Sequence, residues 1–113
     1  MKLANIDTVR EYTVDGANTV ELGRRAHLRC LAYFFKAGQR LRPQAYGSDA
    51  LLYVVRGRAR VRIGDHEEEG RAGDVFMAGA AEDIAIGNAG RDELIVFAAV
   101  AADDPDASPS RPR

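Results

Sequence analysis

The chain has 113 residues, an apolar fraction of 46% and one cysteine, which sets the scale of one domain with ample material for a core. Sixteen basic residues stand against 17 acidic ones, so the basic footprint of a nucleic-acid binder is missing. A lone Cys30 rules out an intrachain disulfide and with it a disulfide-stapled secreted fold. Fourteen of the basic residues are arginine and two are lysine, a bias that fits a GC-rich, bacterial genome and carries no function.

Asp7, Arg10 and Glu11 interrupt the N-terminal stretch, so no signal peptide is readable there. No apolar run approaches the ~20 residues of a membrane span. The expectation is a soluble, cytoplasmic protein without membrane or nucleic-acid partners. Residues 1–26 hold short strand-like pieces at 9–14 and 18–22. At 27–35, HLRCLAYFF, the side chains alternate. The purely apolar set Leu28, Cys30, Ala32 and Phe34 is expected to face the core, and Leu31, Tyr33 and Phe35 to face outward. Such an outward aromatic patch would suit an interface. Cys30, with no readable base beside it, is expected to be an inert buried thiol.

A short strand follows at 40–46, then a near-continuous apolar one at 50–56 (ALLYVVR). Residues 58–63, RARVRI, alternate strictly, and Gly64-Asp65 is a plausible two-residue turn. That turn would set Ile63 opposite His66, Arg62 opposite Glu67 and Arg60 opposite Glu69. It gives an arginine face neutralised by glutamates. The same pairing points Glu68 inward with Val61, at a rim where its carboxylate reaches water. Strands at 74–78, 82–87 and 93–101 complete the series, and no segment carries a sustained helical stripe. Many short strands punctuated by glycine argue for an all-β fold, a small antiparallel β-barrel or sandwich. The tail from 102 to 113, rich in proline and polar residues, is expected to be disordered.

The spacing of particular residues resembles the cupin superfamily. Gly38, Gln44, Tyr46, Ala50 and Gly57 fall on the pattern G-x5-H-x-H-x3-E-x6-G. Gly73, Gly79, Ala81, Ile84 and Asn88 fall on G-x5-P-x-G-x2-H-x3-N, with 15 residues between Gly57 and Gly73. The resemblance spans residues 27–101 and implies a double-stranded β-helix, or jelly roll, with 1–26 as N-terminal strands and a possible dimer contact. It also implies that the metal-ligand positions are Gln44, Tyr46, Ala50 and Ile84, none of which keeps the family's histidine or glutamate. Ala50 and Ile84 offer no donor atom, so no metal and no cofactor are expected. His27 and His66 are the only histidines, and Glu82 and Asp83 point to opposite faces of a strand.

Strand alternation then turns Gln44, Tyr46, Ala50, Leu52, Val54, Ala59, Val61, Ile84, Ile86 and Asn88 toward the lumen. Of these, Gln44, Tyr46, Ala50, Leu52, Ile84, Ile86 and Asn88 are the candidate ligand-binding residues, and Tyr46 is the candidate catalytic one. Asn88 falls where the family usually has a structural turn asparagine, and the resemblance favours that role for it. A homodimer that binds a small organic ligand in the lumen without metal is the expected function. A cofactor-independent enzyme of isomerase, epimerase or cyclase type and a non-catalytic protein-interaction scaffold are the alternatives.

Overall fold

A computed structural model describes residues 1–102; the tail expected to be disordered lies outside them, from 103 onward. After a four-residue helix α1 (Ile6–Val9) come nine strands. They are β1 (Asn18–Arg24), β2 (Leu28–Phe35), β3 (Arg40–Gln44), β4 (Ala50–Arg56), β5 (Arg58–Ile63), β6 (His66–Arg71), β7 (Val75–Ala78), β8 (Ile84–Asn88) and β9 (Leu94–Ala101). They form two antiparallel sheets ordered β1-β2-β9-β4-β7 and β3-β8-β5-β6. The sheets face each other over one core, which makes the fold an all-β double-stranded β-helix. Among the described residues no helix is long and apolar enough to cross a membrane.

The β5–β6 hairpin has the expected register, with Ile63 opposite His66, Arg62 opposite Glu67 and Arg60 opposite Glu69. The ion pairs nevertheless run diagonally: Arg60 to Glu67 at 3.2 Å and Arg58 to Glu69 at 3.0 Å, with Arg71 also on Glu69 at 3.3 Å. Long guanidinium stems lean along the strand, and the sheet's twist brings one diagonal neighbour as close as the residue directly across. Gly57 forms the β4–β5 corner at a φ of +93°. A Cβ there would collide with the Glu93 carbonyl oxygen and lie 3.0 Å from Leu94 Cα, so the return of β9 passes directly against the turn. Asp74 closes the β6–β7 turn, its carboxylate accepting from Arg71 N–H at 2.8 Å.

The expected inside and outside of β2 are reversed. Leu31, Tyr33 and Phe35 face the lumen and are 0–2% exposed, so no outward aromatic patch exists there. Cys30, Ala32 and Phe34 lie on the outer face, with Leu28 46% exposed at its start. The apolar set failed as a guide because both faces of 31–35 are buried. Ala32 and Phe34, with Ile95, form a second small core beneath Ile6, Val9, Tyr12, Val20 and Leu22. Tyr12 meets the Phe34 ring edge-on at 5.8 Å.

That covering layer explains a second departure. Residues 9–14 are not a strand. Asn5 caps α1, its Oδ1 accepting from Asp7 N at 2.9 Å and Thr8 N at 3.2 Å, and the following segment lies as a strap over the sheet. The strap is tied by charge: Arg10 and Arg56 reach Glu93 at 3.3 and 2.8 Å, and Arg56 also reaches Asp7 at 3.3 Å.

Candidate functional site

Strand register puts the lumen residues on levels. In the five-stranded sheet Arg29 pairs with Val100, Val100 with Ala50 and Ala50 with Ala78. In the opposing sheet Gln44 pairs with Ile84, Ile84 with Ile63 and Ile63 with His66. These eight residues rim one end of the barrel. Gln44, Ala50 and Ile84 therefore share one level, and Tyr46, in the β3–β4 connection, packs against the same core. Leu52, Val54, Val61 and Ile86 continue that core inward and are 1–3% exposed.

Asn88 stands apart. It pairs with Ala59, four residues along β8 from Ile84, or ~13 Å away. Its side-chain amide serves the chain itself, with Nδ2 donating to Asp92 O at 2.8 Å and Oδ1 accepting from Gly90 N at 2.9 Å. This is the turn role, at the barrel end opposite Gln44.

Sequence reasoning missed Arg29, a member of the rim, and Tyr33, which is rooted four residues deeper on β2, level with Val96 and Val54. The Tyr33 and Tyr46 hydroxyls are hydrogen-bonded to each other, joining β2 to the β3–β4 connection. Arg29, on the same face of β2, looks onto this pair while Glu21 lies 3.2 Å from its Nε. Its Nε is buried yet forms no hydrogen bond. The signal was present in HLRCLAYFF: Arg29 and Tyr33 share a face, and a face with polar groups near one end is what a barrel mouth requires.

Burial raises the pKa of Tyr33, while the Tyr46 hydroxyl, Arg29 and the Gln44 amide oppose the rise. Tyr46 is pushed far above the ordinary phenol value, first by burial and then by its hydrogen bond to Tyr33. Both phenols thus stay protonated at neutral pH and offer O–H donors, not bases. Burial also raises the Cys30 thiol, on the outer face of the sheet, which keeps it away from thiolate chemistry.

The four positions aligned with metal ligands present an amide, a phenol held protonated, a methyl group and a buried aliphatic chain. Among the described residues, no three His, Cys, Asp or Glu side chains are grouped so as to hold a metal ion. On the far side of the rim a cleft of about 520 Å³ opens between β6 and β7, lined by Ile63, His66, Glu68, Phe76, Met77 and Glu82 among others. Glu68 does reach water there, 3.0 Å from His66 Nε2. Glu82 caps the preceding turn, accepting from Gly79 N at 2.7 Å.

No family model matches the chain, and no curated protein is similar in sequence. Solved structures match closely in shape. A conserved protein with a double-stranded β-helix domain from Klebsiella pneumoniae superposes with a TM-score of 0.84 at 15% identity, over 91% of each chain. The TT1209 protein of Thermus thermophilus gives 0.83 at 19% identity, over 93% of this chain and 100% of that one. An RmlC-like cupin from Desulfovibrio desulfuricans gives 0.79 at 17% identity, over 89% and 96%. The chain has the cupin fold. At these identities the likeness establishes the fold and leaves the chemistry to the residues.

Proposed function

We propose that the protein binds a small organic ligand at the barrel mouth, without a metal. The supporting observation is the Tyr33–Tyr46 pair, two protonated phenols beside Gln44 and Arg29 at the edge of an apolar interior. Such a group presents O–H and N–H donors to a carbonyl or carboxylate, with the Arg29 charge shared with Glu21 at 3.2 Å. Ile63, the partly exposed apolar side chain at this level, would take an apolar portion. The residues present do not fit the divalent metal of the wider fold family. Ala50 and Ile84 have no donor atom, and a phenol whose pKa is raised is a poor ligand.

Binding is preferred to catalysis beside Tyr46 because general acid–base chemistry calls for a group titrating near neutral pH and the phenols are displaced away from it; the His66–Glu68 pair, 3.0 Å apart, lies in the separate cleft between β6 and β7. The protein is further proposed to be cytoplasmic and homodimeric. The exposed apolar residues Tyr53, Val75 and Met77 share one face of β4 and β7, next to Leu51 and Phe97. This face, rather than the one formed by Leu31, Tyr33 and Phe35, is where a second copy would pack.

Native mass spectrometry with elemental analysis of protein purified from its own host tests the reading. A bound organic mass and no stoichiometric transition metal is the expected result. Zinc, iron, nickel or manganese at one per chain within the lumen overturns it.

A further inference from the structure

We propose that the outer face of the four-stranded sheet is a second binding site, for a small molecule carrying two or more phosphate groups. It lies on the opposite side of that sheet from the barrel mouth and is independent of the reading above. Along β8 the outward residues are Ala85 and Gly87. Arg40 of β3 and Arg60 of β5 flank Gly87, and Arg62 of β5 flanks Ala85. A register shift between Leu41 and Gln44 places the Arg42-Pro43 pair on the other side of Ala85. The result is a furrow with a floor of two minimal side chains and walls of guanidinium groups. Its volume is about 440 Å³, within the size range of small-molecule sites.

The furrow depends on the missing side chain of Gly87. A Cβ there would stand 3.1 Å from Arg40 Cγ and 3.5 Å from Cδ, so the Arg40 stem lies against the strand's bare backbone. Two of the four cations are held in place. Arg60 pairs with Glu67 at 3.2 Å, and Arg62 donates to Gly64 O at 2.8 Å. Arg40 and Arg42 have no carboxylate partner among the described residues. Four guanidinium groups thus share one carboxylate, Glu67, in the furrow lining.

Guanidinium forks match phosphate oxygens two at a time, which a point charge does not. The two walls stand on strands separated by β8, so their backbones are ~10 Å apart. One phosphate cannot engage both walls; two linked phosphates, or two on one small scaffold, can. The overall charge of −1 and the row of glutamates that neutralises the neighbouring arginines argue against a polyanion tracking along the surface.

The test uses inorganic pyrophosphate as probe, at physiological ionic strength, with amide NMR shifts as readout. Saturable shifts confined to residues 40–42, 60–62 and 85–87 are expected. The double variant Arg40→Gln/Arg42→Gln, which removes two exposed side chains with no ion-pair partner among the described residues, should keep the fold and weaken binding about tenfold or more. Tyr46→Phe should leave this binding unchanged, which separates it from the barrel mouth. Ala85→Leu, which fills the floor and keeps all four charges, should also abolish the shifts. Absent or unsaturable shifts, shifts centred elsewhere, or undiminished binding in the double variant overturn the proposal. So does a single-stranded RNA that outcompetes pyrophosphate at the same residues.

Discussion

The hydroxyl of Tyr33, on β2, is hydrogen-bonded to the hydroxyl of Tyr46, and so ties the interior face of β2 to the β3–β4 connection. Each phenol carries a single proton, so the one that accepts from its partner is the one whose own O–H stays free to donate. A ligand oxygen that takes one of these protons enters a chain in which the second hydroxyl reinforces the first.

Removing one link tests that chain. Tyr46→Phe should lower stability by about 1 kcal/mol and weaken occupancy by the native ligand roughly two- to tenfold. Ala50→Leu keeps both hydroxyls and fills the mouth, and should displace the ligand outright. Bound mass in native spectra reads both outcomes. Full occupancy in both variants would place the ligand elsewhere.

The β4–β5 corner makes a stability prediction. Gly57→Ala sets a side chain on a backbone at φ +93° and against the Glu93 carbonyl. Backbone strain of this kind costs about 1–3 kcal/mol, and the steric conflict adds to it. The thermal midpoint should fall by roughly 4–8 °C for each kcal/mol lost. An unchanged midpoint would mean that the β9 approach is looser than described.

Glu93 contributes to the acid limb of stability, alongside Glu21 and Glu69, whose carboxyls arginines also hold low. Arg56 most of all, then Tyr12, holds the Glu93 carboxyl below the ordinary carboxylate value. A pKa depressed by folding stabilises the protein above the unfolded value of about 4.3 and ceases to do so as pH falls through the folded one. Glu93→Gln should therefore reduce stability at pH 7 and flatten the acid limb. The alkaline side has the opposite sign. Burial, then Glu93, raises Tyr12 from 10.0 to about 12, so that contribution is complete below 10.0 and fades as pH climbs toward the raised value. Tyr12→Phe should flatten that limb. Denaturant midpoints across pH give the comparison.

The proposed dimer is tested at Met77, which is 74% exposed on the outer face of β7. Met77→Asp should yield monomers in sedimentation at micromolar concentration without altering the fold, whereas wild type is expected to sediment as a dimer. Monomeric wild type would refute the interface.

How much of this was readable beforehand follows from how local each determinant is. Glycine corners fix where strands begin, so the motif spacing sufficed to bring Gln44, Ala50 and Ile84 to one level. The β5–β6 register followed from a two-residue turn. The orientation of β2 did not follow, because what covers Phe34 is a strap more than twenty residues upstream, and periodicity within β2 knows nothing of it. Arg29 was lost from the mouth, and Tyr33 from the interior, with that reversal. The meeting of Arg40 with Arg60 was equally hidden, since β3 and β5 become near neighbours only through β8, which comes later in the chain.

The double covering of β2 also bears on how the chain finds its register. A strand with one oily face loses that face to water if it slips by one residue. From Leu31 to Phe35 a slip would exchange one greasy row for another, and burial alone would scarcely register the error. The distinguishing groups are few: Tyr33 would surrender its hydroxyl partner, and Arg29 would turn from the rim toward the solvent side. The polar edge of the cup thus doubles as a proofreading device for the strand that builds it.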